Sequence, residues 1–202
     1  MRFASLVSIA MLGLAACASV PSTSVSPGVR AAGRSTSPST GLSAGTTTRA
    51  IAHLAGASGS LVSGTLTLMQ TTAGVRIQGD LGGLAPGSTH GFHVHETGDC
   101  SAADASSAGG HFNPGGSPHG KAETARHHVG DIDNISADPS GVAHVDAIVA
   151  GTVLGGSGSG STSTSTSILG RALVVHAAPD DYRTQPSGNS GTRIACGVVR
   201  TP

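Results

Sequence analysis

The sequence predicts an all-β domain, an eight-stranded antiparallel Greek-key sandwich or flattened barrel, and three observations lead there. From Arg49 onward, short runs rich in Val, Ile, Leu and Thr lie between Gly-rich turns. Several runs alternate apolar with polar residues, as Leu66 and Leu68 do against Thr65 and Thr67, which is the period of a half-buried strand. No segment carries a helical period of useful length.

The runs place strands near Ala50–Leu54, Gly64–Gln70, Gly74–Leu81, Thr89–His95, Val129–Ser136, Val142–Ala150, Ala172–His176 and Thr192–Arg200. Short strands of this kind joined through long connections fit a sandwich or barrel. Two of the connections are unusually long, Glu96–His128 and Ala177–Gly191. Loops of that length inside a compact domain are functional or need their own organiser. A third, Gly155–Ser167, is a Gly-Ser-Thr repeat and reads as a connection only. Aromatic residues are scarce, with three Phe, one Tyr and no Trp. The core therefore falls to Val, Ile, Leu and Ala, and such a domain is expected to need staples.

Charge bounds the partners. Only 11% of residues are charged, and the formal net charge is zero with histidines neutral. Nucleic-acid binding needs clustered Lys and Arg, so nothing here points to it. Ten histidines stand against eleven Lys plus Arg, and most of them fall between His90 and His128. That density is the first sign of metal.

The N-terminus reads as an export signal over residues 1–17. Arg2 gives a positive start, and the apolar run Ala4–Ala16 is too short to span a bilayer. It ends in Leu14-Ala15-Ala16-Cys17, which resembles the bacterial lipobox, in which the cysteine is acylated. Lipidation of Cys17 would tie the protein to a membrane in the bacterial cell envelope, on a periplasmic or other envelope face. Ordinary cleavage of a soluble secreted protein is the alternative. Residues 18–48 are Ser, Thr, Gly, Ala and Pro without hydrophobic period, a flexible tether with a reach of roughly 30 Å. Residues 49–202 then form the folded domain.

Candidate metal ligands come from three places. His93 and His95 are two apart on one strand, so both imidazoles share a face while Phe92 and Val94 take the other. His111, His119, His128 and Asp131 fall within twenty-one residues of Gly- and Pro-rich loop. Ser106–Gly120 has too little apolar material to fix its own shape by burial. A zinc ion would fix it, since three imidazoles and a carboxylate make a tetrahedral N/O set; the alternative is a solvated loop with incidental histidines. His176 ends the strand Ala172–His176 on the face opposite Leu173 and Val175. Six histidines and one aspartate fall one short of two four-coordinate sites. Only an imidazole has two separate nitrogens to share, and His111 is the natural bridge.

Over nearly all of Arg49–Arg200 the chain resembles the Cu,Zn superoxide dismutases. The stretches that carry the resemblance are GFHVHETGDC at Gly91–Cys100, AGGHFNP at Ala108–Pro114, HVGD at His128–Asp131, GRALVVH at Gly170–His176 and GNSGTRIACGVV at Gly188–Val199. It implies one copper per chain on His93, His95, His111 and His176, and one zinc on His111, His119, His128 and Asp131. The family's spacing before Val129-Gly130-Asp131 implies His128 rather than its neighbour His127. Asp180 corresponds to a carboxylate that links a copper histidine to a zinc histidine, and His90 to a residue that bonds backbone.

The pair Cys100 and Cys196 corresponds to the family disulfide, which lipidation of Cys17 would leave as an even pair. In the chain-entropy account such a link stabilises by roughly 4–5 kcal/mol. The resemblance implies dismutation of superoxide to oxygen and hydrogen peroxide, with His111 exchanging a proton and Arg193 attracting and orienting the anion. Lys121 and Arg183 are further cations whose place the sequence leaves open. The loops Glu96–His128 and Ala177–Gly191 become the metal-binding and electrostatic loops, and a homodimer is allowed. A non-catalytic envelope copper/zinc-binding lipoprotein is the competing reading. The complete copper set and Arg193 stand against it. A zinc hydrolase fits worse, because four protein ligands leave zinc no open position.

Overall fold

A computed structural model describes residues 47–155 and 166–202. The export signal, Cys17, nearly all of the tether, and most of the Gly155–Ser167 repeat lie outside the described residues.

Nine strands form among the described residues: β1 Arg49–Gly56, β2 Ser63–Gln70, β3 Gly74–Gly82, β4 Thr89–His90, β5 Phe92–His95, β6 Ile135–Ser136, β7 Ala143–Ala150, β8 Ala172–His176 and β9 Arg193–Arg200. One 3-10 turn, Ser106–Ala108, is the only helical element among them. Seven strands make one antiparallel sheet in the order β5-β8-β9-β1-β2-β3-β7, and β4 pairs with β6 separately. Phe92 and Val94 of β5 and Val145 and Val149 of β7, at opposite edges of that sheet, meet in a single core cluster. The sheet therefore curls on itself around its apolar face, as the sequence alternation requires.

Two expected strands differ from what forms. Thr89–His95 splits at Gly91, whose N–H donates to Ala178 O and whose carbonyl accepts from the His176 N–H. Val129–Ser136 shrinks to Ile135–Ser136, because the main chain at Gly130 and Asp131 bonds to Val94, Phe112 and His128 in an irregular pattern.

Strand β8 has no solvated side. Leu173 and Val175 enter the main core, while Ala172 and Val174 pack with Ala57, Ala105, Ala108 and Cys196 in a second, smaller cluster. That second cluster lies beneath the loop that follows β5. The disulfide Cys100–Cys196, with Cα atoms 5.8 Å apart, fastens the loop to β9. The sheet face on which the sequence puts His93 and His95 is thus roofed over, and both are buried. The Gly-Ser-Thr repeat leaves from a pinned base: Val153 N–H donates to Thr166 O, Ile168 N–H donates to Val153 O, and Leu154 and Ile168 are buried in the core.

Candidate metal centre

Register places the strand-borne histidines. In the β5–β8 pair His93 stands opposite Val174 and His95 opposite Ala172, which puts both rings on the face shared with His176. The outer edge of β5 is then covered by the loop itself. Phe112 N–H donates to Val94 O, Val94 N–H to Gly130 O, and Gly130 N–H to Phe112 O. This three-way approach leaves no room for a side chain at position 130, where a Cβ would run into Val94 O and lie 3.0 Å from Phe112 N. It sets His111 beside His95 and Asp131 beside His93 as isolated bridge partners.

Two groups of ligand atoms result. Nitrogens of His93, His95, His111 and His176 lie within 4.8 Å of one another, and so do the ligand atoms of His111, His119, His128 and Asp131. All seven residues are buried. In the mixed group Asp131 Oδ1 is 2.9 Å from His111 Nδ1, 3.0 Å from His119 Nδ1 and 3.3 Å from His128 Nδ1, and the Nδ1 atoms of His128 and His111 are 3.4 Å apart. A tetrahedron with metal–ligand bonds of about 2.0–2.1 Å has edges of roughly 3.3–3.4 Å, so these atoms fit zinc with little movement. The other oxygen of Asp131 accepts the main-chain N–H groups of Gly120 and His128, which orients the carboxylate.

The all-histidine group has the opposite character. His93 Nδ1 and His111 Nε2 are buried without a hydrogen-bond partner, and the Nε2 atoms of His95 and His176 face each other at 3.3 Å. A buried polar atom left unpaired costs about 1–3 kcal/mol, so four lone pairs converging here want a cation. Nitrogen-only ligation of this kind suits copper.

The remaining ring nitrogens fix the tautomers. His95 Nδ1 donates to Gly109 O at 2.9 Å and His176 Nδ1 to Gly191 O at 3.2 Å, which leaves each Nε2 as the lone-pair atom. Asp180 does the same for two rings at once: Oδ2 accepts from His93 Nε2 and Oδ1 from His119 Nε2, both at 2.9 Å. Gly188, at φ +68°, packs directly against Asp180 Oδ1, and a Cβ there would displace the carboxylate. Only glycine meets both demands.

Electrostatics divides the centre. Burial pushes the His95, His111 and His176 pKa values down, to about 2, 4 and 3 respectively, so these rings are neutral and offer lone pairs at neutral pH. On His119 burial opposes charge, but the carboxylates of Asp131 and Asp180 outweigh it and raise the pKa to about 9. Burial also disfavours the charge of Asp131, and three histidine contacts overcome it and hold the carboxyl far below its usual range. Asp180 is depressed likewise, through His119 and His93. A proton on His119 thus stands where a metal ion would stand, and zinc would displace it.

The centre opens into a cleft of about 470 Å3 whose lining includes His95, His111, His176, Glu96 and Arg193. Arg193 donates through Nη1 to Ala105 O and through Nη2 to Gly109 O, both at 2.6 Å. The Gly109 carbonyl therefore receives both Arg193 and His95, tying the guanidinium to a metal-group ring. Lys121 pairs with Glu123 at 2.9 Å and is absent from the cleft lining, as is Arg183.

The structure brings together every ligand candidate of the sequence, and Asp180 and Arg193 with them. His127 joins neither group; its Nδ1 donates to His128 O. His90 bonds His176 O through Nδ1 and Ser88 Oγ through Nε2, so it buttresses a ligand's main chain. Sequence reasoning missed the carboxamides. Asn113 bonds both the N–H and the carbonyl of Ser117, and Asn134 bonds both those of Asp180. Gln185 does so for His119. It also missed Arg171, which donates to Glu96 O and Ser167 O and lies 3.5 Å above the Phe112 ring, next to His111. The signal was a scatter of Asn and Gln in loops too polar to pack.

Comparison with known proteins agrees with this geometry. The family model described as copper/zinc superoxide dismutase (SODC) matches residues 62–199. The protein named superoxide dismutase [Cu-Zn] 2 from Aquifex aeolicus (strain VF5) is 39% identical over 152 residues, covering 75% of this chain and 86% of that one. A superoxide dismutase [Cu-Zn] from Paramecium bursaria Chlorella virus 1 is 39% identical over 144 residues, 68% of this chain and 72% of that one. Among solved structures, a SOD-like protein from Bacillus subtilis has a TM-score of 0.63 at 36% identity over 73% of this chain and 95% of that one. The clock protein EA4 has a TM-score of 0.64 at 37% identity over 77% of this chain and 95% of that one. With the family model spanning most of the sheet and both ligand groups, this chain belongs to the copper/zinc superoxide dismutase family.

Proposed function

We propose that this chain dismutes superoxide at a copper ion held by His93, His95, His111 and His176, beside a zinc ion held by His111, His119, His128 and Asp131. One observation carries the assignment. The His111 ring turns Nδ1 toward Asp131, 2.9 Å away, and leaves Nε2 buried and unpartnered in the four-histidine group. One imidazole therefore faces both sets.

Copper supplies the one-electron couple, and zinc, without redox chemistry, adds fixed positive charge beside it. The rest falls to the protein. Superoxide is a small anion, and among the described residues of the cleft lining Arg193 is the cation, with Glu96 its acidic counterpart. Attraction is local, as a net charge of zero requires. A guanidinium has five N–H donors, and two are engaged by loop carbonyls, so others remain to orient the substrate. Two superoxide ions and two protons give one oxygen and one hydrogen peroxide. His111 Nε2, buried and facing the four-histidine group, would take one of those protons while free of copper and pass it to the peroxide.

The relatives bearing the dismutase name and the complete ligand set support this reading over metal storage, which has no use for Arg193 in the cleft. The test is superoxide consumption by the full chain loaded with copper and zinc, compared with His176→Ala. The parent consumes superoxide and the variant does not; equal activity of the two would refute the copper assignment.

The sequence at Leu14–Cys17 supports an envelope lipoprotein, anchored through Cys17 and held off the membrane by residues 18–48. Labelled fatty acid should enter the parent protein and not Cys17→Ser. Equal labelling would remove the anchor.

A further inference from the structure

We propose that Gln185 is a positioning residue for the zinc site, acting on His119 through its main chain. The proposal rests on His119 being a zinc ligand. Among the mixed group, His111 and Asp131 are held by the main-chain pattern along β5. The His128 N–H is fixed by Asp131 Oδ2 at 2.8 Å. Among the described residues no strand pairs with His119, and it follows Pro114, Gly115, Gly116 and Pro118, a stretch with little to bury.

Gln185 takes the place of a strand. Its Oε1 accepts the His119 N–H at 2.8 Å and its Nε2 donates to the His119 carbonyl at 2.9 Å. One carboxamide thus satisfies both peptide groups of the ligand, as a neighbouring strand does in a ladder. The same Nε2 lies 3.2 Å from Arg183 O, which shapes the segment that presents it. Gln185 itself is exposed and adds nothing to the core. Its bonds therefore act on the position of His119, whose ring must reach Asp131 Oδ1 and Asp180 Oδ1 together. Without the clamp, that backbone would sample more states before zinc arrives, and binding would carry the cost of ordering it. The residues after Gln185, Pro186 and Ser187, line the cleft. The clamp therefore joins the zinc loop to the rim through which substrate enters.

The experiment uses the full chain and measures zinc affinity by competition with a chromogenic chelator at fixed pH. It is run for the parent, Gln185→Leu, Gln185→Glu and His119→Ala, with the metal-free unfolding midpoint of each. Loss of a residue that orients a ligand weakens a metal site about 10–100-fold, and Gln185→Leu is expected at the lower end. Its metal-free midpoint should match the parent's. Gln185→Glu keeps the acceptor for the His119 N–H and loses the donor to its carbonyl, so its affinity should fall between the two. Zinc binding by Gln185→Leu equal to the parent's, with His119→Ala impaired, overturns the proposal and leaves the zinc assignment standing. A metal-free midpoint lowered enough to account for the lost affinity also overturns it, since the role is then structural. Unimpaired zinc binding by His119→Ala would instead defeat the ligand assignment beneath it.

Discussion

The two halves of the metal centre are built by different means. His93, His95 and His176 sit on β5 and β8, where ladder hydrogen bonds and a core on the far side fix each Cα before any ion arrives. The mixed group hangs mainly on the loop between Glu96 and Asn134, which has one short 3-10 turn and little else that is regular. That loop is held by a disulfide, by carboxamides that imitate strands, and by Asp131 and Asp180 reaching several partners each. The comparison teaches where each half is fragile. The strand-borne site loses function when a ligand is lost, whereas the loop-borne site also depends on residues that touch no metal.

The sharpest way to break this contrast is to remove one ligand from each half. His95→Ala should abolish copper binding and bring superoxide consumption to background while zinc content stays near one per chain. His128→Ala should lose zinc first and keep copper. Elemental analysis of the purified variants decides, and loss of both metals in both variants would erase the distinction.

Next in size is the disulfide. Cys100→Ala should lower the unfolding free energy by roughly 4–5 kcal/mol in urea titrations. Hydrogen exchange should rise in the loop following β5 more than in β8. A uniform rise would mean that the strands depend on the link as much as the loop does.

Acid sharpens the comparison from the other side. In the metal-free protein, burial keeps His95, His111 and His176 neutral, at about 2, 4 and 3, below their unfolded value of 6.5. Between those values the unfolded chain binds more protons than the folded one, so stability falls as pH drops below 6.5. For His111 alone the shift corresponds to at most about 3 kcal/mol. His119 has the opposite sign: raised to about 9, it adds stability that is complete below 6.5 and lost as pH rises through 9. Metal-free unfolding followed from pH 4 to 10 should therefore weaken toward both ends. A flat profile would contradict the assigned environments.

Smaller effects are expected farther out. Asp180→Ala, which frees His93 Nε2 and His119 Nε2, should weaken zinc about 10–100-fold by chelator competition. Arg76→Ala breaks an exposed, solvent-screened pair with Asp146 across β3 and β7, so it should change stability little and leave both metal contents unchanged.

Legibility in the sequence follows the same division. Strand alternation gives Leu66 and Leu68 their inward side and puts His93 and His95 on one face, because a period of two is a property of the backbone alone. The ligands themselves were legible too, since histidines crowd between His90 and His128 in a chain so low in charge. What holds them was not. Gln185 and Asn134 act on peptide groups distant in sequence, and no local pattern marks a carboxamide for that use. The carbonyls of Gly109 and Gly191 fix tautomers through main-chain atoms, which leave no trace in residue identity. The break at Gly91 had the same origin, in bonds to Ala178 and His176 formed only when the sheet closes.

The shared ring of His111 is the point on which the whole centre turns. Diffraction from crystals of the copper- and zinc-loaded chain, with anomalous data at both absorption edges, tests it most directly. The account predicts zinc on His111 Nδ1 and copper on His111 Nε2, one ion on each side of the same imidazole. With copper held in its oxidised form, a ring bonded to one ion only, or both ions lying away from His111, would contradict it.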